Sequence, residues 1–203
     1  MIGIIDYNMN NLTCVKSAIN YLGFKSKIIK SSKQLKEADK VILPGVGAFG
    51  DAIKNLNNKR FIEELYDSVI IKKKPFLGIC LGAQLICKES DEYGKNFGFG
   101  WFENKVEKLI PNKIQRVPHN GWNNIAITNK NSVLLKDINN ESLFYFNHSH
   151  AIHVDSPEGI SAICNHVKKF AAVIEKNNIF AVQFHPEKSQ KDGLTLIKNF
   201  LSI

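Results

Sequence analysis

The chain has 203 residues, 44% of them apolar and 23% charged, which excludes collagen-like, mucin-like and disordered chains and suits one globular domain over residues 1–203. The formal net charge of +8 raises nucleic-acid binding, yet of 27 basic residues only Arg60 and Arg116 are arginine. The lysines are scattered singly apart from Lys72-Lys73-Lys74, so the charge reads as a compositional bias and no nucleic-acid partner is expected. No run of about 18 apolar residues occurs, and MIGIIDYNMN lacks a basic stretch before a long apolar core, so a soluble, non-exported, cytoplasmic protein without a membrane partner is expected. Cys14, Cys80, Cys87 and Cys164 contain no C-x-x-C pair and suggest neither a zinc site nor a disulfide framework.

In chain order, Ile2–Asp6 reads as a strand, and Leu12, Val15, Ala18, Ile19 and Leu22 follow at helical spacing with Gly23 as the stop. Lys27–Ile29 reads as a strand, and Ser31 with Gln34 resembles a capping box for a short helix. Lys40–Leu43 is a strand that runs into the loop Pro44-Gly45-Val46-Gly47-Ala48-Phe49-Gly50. Phe61–Ile71 fits a helix through Phe61, Leu65, Ser68 and Val69. Pro75–Ile79 is a buried strand and Leu81–Lys88 a helix. This strand–helix alternation predicts a three-layer α/β fold, a central sheet flanked by helices. After Gly100 the texture becomes β-rich, with strands expected at Glu103–Leu109, Asn123–Thr128, Leu143–Asn147, Ala151–Val154, Ile160–Asn165, Ala171–Lys176 and Ile179–Phe184. A closing helix, Asp192–Leu201, carries Leu194, Ile197 and Leu201 on one face. In open sheets of this kind chemistry belongs at the carboxyl ends of the strands.

One such end carries Gly78-Ile79-Cys80-Leu81-Gly82, the thiol counterpart of the G-x-S-x-G nucleophile turn. The glycines suit a strained backbone crossed closely by neighbouring chain, and the helix start behind Cys80 favours thiolate. The N–H of Leu81 is placed to stabilise an oxyanion. A buried structural cysteine is the plainer alternative, and the strand-before, helix-after context favours catalysis. Gln183-Phe184-His185-Pro186-Glu187 supplies a base. Pro186 biases His185 towards extended backbone, which points residues i and i+2 the same way, so Glu187 can set the His185 tautomer and leave the other nitrogen for Cys80. The loop Pro44–Gly50 reads as the second half of an oxyanion hole rather than a phosphate cradle, because no G-x-x-x-x-G-K-[ST] spacing is present. A rival metal site starts from His148, His150 and His153, with His148 and His150 on one strand face, but no carboxylate or cysteine completes it. No metal and no cofactor are expected.

Gly78-Ile79-Cys80-Leu81-Gly82-Ala83-Gln84 together with Gln183-Phe184-His185-Pro186-Glu187-Lys188-Ser189 resembles the class I glutamine amidotransferases. Leu43–Gly50, Val117-Pro118-His119-Asn120-Gly121-Trp122-Asn123 and Tyr145-Phe146-Asn147-His148-Ser149 are similar to the branch of that family that serves imidazole glycerol phosphate synthases. The resemblance implies a flavodoxin-like fold with a mixed central sheet and a Cys80–His185–Glu187 triad acting on L-glutamine. It implies oxyanion N–H groups at Leu81 and Val46, and a glutamine seat made by Gly47, Gln84, His148 and Ser149. Ammonia would pass to a separate (β/α)8-barrel cyclase subunit of histidine biosynthesis, docked at Asn11, Trp122, Tyr145 and Lys188 as a heterodimer. Two departures stand out. The family's D-Y-G-x-G-N loop is here Asp6-Tyr7-Asn8-Met9-Asn10-Asn11, and His150 replaces a commonly aromatic residue. A changed loop at the partner face leaves an alternative, in which the ammonia amidates or amidinates a surface-polysaccharide sugar.

Overall fold

A computed structural model describes residues 1–203. It contains strands β1 (Ile2–Ile5), β2 (Ser26–Ile29), β3 (Lys40–Gly45), β4 (Phe76–Cys80), β5 (Cys87–Ser90), β6 (Asn96–Phe97), β7 (Phe102–Lys108), β8 (His119–Asn124), β9 (Ala126–Ile127), β10 (Leu143–His148), β11 (His150–Ile152), β12 (Ile160–His166), β13 (Lys168–Lys176) and β14 (Ile179–Val182). The helices are α1 (Leu12–Tyr21), α2 (Ser32–Leu35), α3 (Phe49–Asn58), α4 (Phe61–Leu65), α5 (Leu81–Gln84) and α6 (Gln190–Leu201). The main sheet has eight strands in the order β2-β1-β3-β4-β14-β13-β12-β9. It is parallel from β2 to β14 and antiparallel beyond, so the sheet is mixed. A hairpin-like pair, β10 with β8, and a four-stranded sheet, β11-β7-β5-β6, stand beside it.

Alternation along the central strands divides the core in two. Ile42, Leu77, Ile79, Phe180 and Val182 face one layer, with α1, α6 and the β8–β10 pair. Val41, Leu43, Phe76, Ile179 and Ala181 face the other, with α2, α3, α4 and β7. Period-two side chains on strands apolar on both faces are what a sheet covered on both sides requires. No helix is long and apolar enough to cross a membrane.

Local rules account for several ends. Gly23 adopts φ 83° and donates to Asn20 O at 2.9 Å, while Phe24 N–H bonds Ile19 O at 3.1 Å, which together close α1 by a Schellman motif. The predicted capping box at Ser31 forms differently: Ser31 makes no side-chain cap bond, and Gln34 Oε1 instead accepts the Lys30 N–H at 2.9 Å. Phe61, Leu65, Ser68 and Val69 are all buried as expected, but the helix widens into a π-helical stretch over Tyr66–Ile71. On α6 the buried face is Gly193, Leu196, Ile197, Phe200 and Leu201, with Leu194 at its edge.

Two expectations are corrected by long-range pairing, and a third by a helix that starts early. The helix expected over Leu81–Lys88 stops at Gln84, and the chain beyond it is extended, with Phe99, Trp101 and Gly98 donating to the carbonyls of Leu85, Ile86 and Lys88 at 2.7, 2.9 and 2.9 Å. Cys87–Ser90 then pairs with β7 and β6. The strand expected over Asn123–Thr128 is two strands in different sheets, β8 on β10 and β9 on β12, separated by buried Ile125. Phe49 and Gly50 belong to α3 rather than to the glycine loop. The Gly23 turn yields a direct check. A Cβ at this position meets nothing within 4 Å, so Gly23→Ala should cost about 1 kcal/mol from backbone strain alone, read from urea unfolding.

Candidate active site

Cys80 closes β4 and begins α5, with φ 54° and ψ −108°. Such a backbone at a non-glycine residue is held only when its surroundings over-determine it. The flanking glycines are required by close approach: a Cβ on Gly82 would lie 1.8 Å from Leu43 O, and one on Gly78 2.6 Å from Gly82 O. Leu81 is the first residue of α5, so its N–H has no intrahelical acceptor.

His185 follows β14, the strand beside β4, and its own N–H is fixed on Tyr145 O at 2.9 Å. Its ring Nδ1 bonds Glu187 Oε1 at 2.8 Å, with both side chains almost fully buried. Glu187 reaches the ring from a 3-10 turn, Pro186–Lys188, and not from the extended i, i+2 geometry expected. Pro186 starts that turn because its φ suits a first helical position. The turn is pinned by Ser189 Oγ donating to His185 O at 2.6 Å. Glu187 Oε2 is buried without a partner. With Nδ1 occupied, Nε2 is left for the sulfur. Burial pushes the His185 imidazolium down, but hydrogen bonds to Cys80 and Glu187, and then their charges, outweigh it and lift the pKa to about 10. The ring therefore keeps its second proton across the neutral range.

A cavity of about 140 Å³ opens onto Cys80, lined by Val46, Gly47, Leu81, Gln84, Glu92, Asn147, His148, Ser149 and His150. Gly47, Gln84, His148 and Ser149, named in the sequence as a substrate seat, thus lie together beside the sulfur. Gln84 is held by its amide, which donates to His150 O at 2.8 Å and to Gln183 Oε1 at 3.0 Å. Gln183 turns its own amide to Cys80 Sγ at 3.9 Å. Val46 lies on the rim, but its N–H does not face the cavity. It is donated to Met9 O at 3.0 Å, which corrects the oxyanion assignment for this conformation.

Glu92 was not singled out by the sequence and is the cavity's carboxylate. Its Oε2 accepts the Phe49 N–H at the start of α3 at 2.7 Å, and its Oε1 lies 3.4 Å from His150 Nδ1. A helix N-terminus stabilises such a carboxylate. Nothing local announces Glu92, because the contact joins segments 43 residues apart. Asn147 and Gln183 were missed too, although both stand inside the family motifs, while His150, which the sequence marks as a departure from the family and a metal candidate, lies on the cavity wall.

The histidines do not converge on a metal. His148 and His150 are split by Ser149 into strands of different sheets, so they do not share one strand face. His148 Nδ1 donates to His150 O at 2.9 Å. Its Nε2 must then accept, and His119 Nδ1 donates to it at 3.1 Å. Asn123 Nδ2 faces the remaining His119 nitrogen at 3.3 Å. His119 is stacked between Phe146 and His166. This chain of bonds assigns both rings as neutral. Burial first, then neighbouring histidines, pushes the pKa of His119 down to about 3. Burial likewise brings His148 to about 3, against a bond to the His150 backbone that raises it.

Of the residues expected at a partner face, three form one cluster at the outer side of His185. Trp122 meets Tyr145 edge-on at 6.0 Å between centroids, and Lys188 Nζ stands 5.7 Å over the Tyr145 ring. Trp122 is 46% exposed, unusual for an indole. Asn11 caps α1 without a side-chain bond, and α1 packs against the Pro186–Lys188 turn.

A nucleophile elbow with a buried His–Glu pair just beyond the adjacent strand is the arrangement of an amidase-type site, and the family model for "Glutamine amidotransferase class-I" matches residues 3–203. The chain belongs to the class I glutamine amidotransferases. It is 45% identical over 200 residues to "Imidazole glycerol phosphate synthase subunit HisH 1" of Campylobacter jejuni strain 81-176, covering 98% of each chain. It is 44% identical to the HisH subunit of Caldanaerobacter subterraneus subsp. tengcongensis, over 98% of this chain and 97% of that one. It is 37% identical to HisH 2 of Pseudomonas aeruginosa PAO1 over the whole of both. Among solved structures, PurLQS from Thermotoga maritima superposes with TM-score 0.77 at 15% identity, covering 99% of this chain and 97% of that one. A structure described as glutamine amidotransferase gives 0.75 at 17%, with the same coverage. These distant structures establish the fold: three-layer α/β with a mixed sheet.

The paired neutral histidines make the amidotransferase acid-sensitive. Their folded pKa values lie below the unfolded value of about 6.5, so their contribution is present above it and is lost as pH falls towards 3. Stability should drop by up to about 1.4 kcal/mol per pH unit per ring below pH 6. His119→Gln should flatten that slope in urea titrations between pH 6 and 4.5, whatever it does to stability at pH 7.

Proposed function

We propose that this chain is the glutaminase subunit of an imidazole glycerol phosphate synthase, one amidotransferase unit that hydrolyses L-glutamine and hands ammonia to a (β/α)8-barrel cyclase subunit. The observation that carries the reading is the Cys80–His185–Glu187 line opening onto a small polar cavity. The identity of 37–45% to HisH subunits over nearly full length supports the choice of partner.

The chemistry follows from the groups present. The Cys80 sulfur attacks the carboxamide carbon, its proton residing on the His185 ring. The oxygen gains negative charge near the Leu81 N–H. His185, an acid that holds its proton to about pH 10, gives it to the departing nitrogen, and ammonia leaves a thioester behind. The neutral ring then takes a proton from water, which cleaves the thioester to glutamate. Glu187 keeps the ring in the tautomer that serves both steps. In the cavity, the Glu92 carboxylate suits the ammonium of an amino-acid substrate, while Gln84, Ser149 and the chain at Gly47 and His148 supply its remaining contacts.

Free ammonia at neutral pH is mostly ammonium, which is not nucleophilic, so it must be made against its consumer. Trp122, Tyr145, Lys188 and Asn11 form the docking face in this reading. An exposed indole with an aromatic and a cation beside it is the composition of an interface anchor. The product of the complex would be imidazole glycerol phosphate with an aminoimidazole carboxamide ribonucleotide, in histidine biosynthesis. The Asp6–Asn11 loop, which departs from the family pattern near this face, favours one second reading: ammonia supplied to amidate or amidinate a surface-polysaccharide sugar. Turnover of the purified complex with each class of acceptor separates the two.

Cys80→Ala should abolish glutamine hydrolysis in the assembled complex with the circular dichroism spectrum unchanged. Persisting glutamate release would reject the reading. Removal of one oxyanion donor costs about 10²–10³ in rate. With the Val46 N–H bound to Met9 O, the subunit alone should be slower by about that factor than the complex, measured by glutamate production with and without partner.

A further inference from the structure

Tyr7 is fully buried, yet its hydroxyl has no hydrogen-bond partner. That hydroxyl is wedged between the end of β3 and the nucleophile turn. A Cβ on Gly45 would lie 2.3 Å from Tyr7 Oη, 2.9 Å from Leu81 Cβ and 3.0 Å from Gly82 N. Gly45 is also the register partner of Cys80. Burial first, and the neighbouring Cys80 second, hold the phenol far above its ordinary pKa, so it stays a donor at every working pH. An unpartnered buried donor is rare in native proteins and calls for an explanation, such as use in catalysis.

The same loop supplies the missing half. Met9, two residues beyond Tyr7, accepts the Val46 N–H at 3.0 Å. Asn8 between them takes φ 72°, and the turn is clamped by Lys59 Nζ, which donates to Asp6 O at 2.9 Å and to Asn8 Oδ1 at 2.8 Å. A peptide group is rigid and planar, with its N–H and C=O on opposite sides. Turning the Val46 N–H into the cavity therefore turns the Gly45 carbonyl out towards the Asp6–Asn11 loop. Met9 O offers that carbonyl only an acceptor. Tyr7 Oη is the unused donor beside it, and glycine at 45 is the residue that leaves room for both.

We propose that Tyr7 is a positioning residue for the oxyanion hole, its hydroxyl donating to the Gly45 carbonyl when the Gly45–Val46 peptide turns its N–H from Met9 O to the developing oxyanion. The loop thus offers one acceptor to the resting peptide and one donor to the turned one. This rests on the glutaminase reading above and adds to it the group that holds the competent state.

The test is Tyr7→Phe, which keeps the ring, in the chain assembled with its cyclase subunit. The kcat for glutamine hydrolysis should fall about tenfold, the population shift expected from one lost hydrogen bond, with KM within about twofold. Alkylation of Cys80 by iodoacetamide, which needs no oxyanion hole, should keep its rate. The partner-free chain should melt at the same or a higher temperature, because the variant removes a hydroxyl that nothing satisfies. An unchanged kcat overturns the proposal, and so does an alkylation rate that falls in step with kcat, which would put Tyr7 on the sulfur. A lowered melting temperature overturns it as well, since the hydroxyl would then have a resting partner. A wild-type complex that releases no glutamate removes the underlying reading and Tyr7's role with it. Active wild type, inactive Cys80→Ala and fully active Tyr7→Phe remove Tyr7's role alone.

Discussion

The parallel pairing of β4 with β14 is the constraint on which the site depends. Phe76 to Ile79 run in register with Ile179 to Val182, and all eight of these positions are buried. Burial on both faces specifies the register, because a slip of one residue would exchange the two sets of side chains between layers. It would also move His185 by about 3.3 Å along the strand, beyond reach of the sulfur. The glycines at 78 and 82, the Gln84–Gln183 amide pair and the Pro186 turn all refine a meeting that this pairing creates.

Two kinds of histidine stand within one neighbourhood, and partners separate them. Burial disfavours the charged ring in every case. Around His185 the Cys80 sulfur and the Glu187 carboxylate reverse that tendency by hydrogen bonding and charge, whereas His119 and His148 face each other, a backbone carbonyl and apolar rings, and stay neutral. A neutral pair next to the acid avoids a second buried cation beside the first, which low dielectric would make costly. The result is one charged imidazole beside Cys80 and a neutral one on the cavity wall.

The parts legible in the sequence were those whose chemistry is written locally. Gly78–Gly82 and Gln183–Glu187 each carry their geometry within a few residues, and alternating apolar strands with a helix-period Phe61, Leu65, Ser68 and Val69 expose the layers. Glu187 was legible as a partner of His185, although the route by a 3-10 turn was not. What remained hidden was set by contacts between distant segments. The α5 helix ends early where the chain becomes the strand Cys87–Ser90, paired with β6 and β7. Glu92 acquires its place from α3. Val46 could be named but not oriented, since which way a peptide faces depends on Met9, 37 positions earlier. Periodicity and motif spacing hold no record of such choices.

Chain order carries a last consequence. Cys80 ends β4 and His185 follows the neighbouring β14, yet 105 residues of synthesis separate them, and β14 must insert between β4 and β13. A ribosome-bound fragment that already displays Cys80 lacks His185 until the final strand has emerged. In the glutaminase proposed above, amide cleavage therefore waits until nearly the whole polypeptide has been made, and a truncated translation product is inert towards the cell's nitrogen donor.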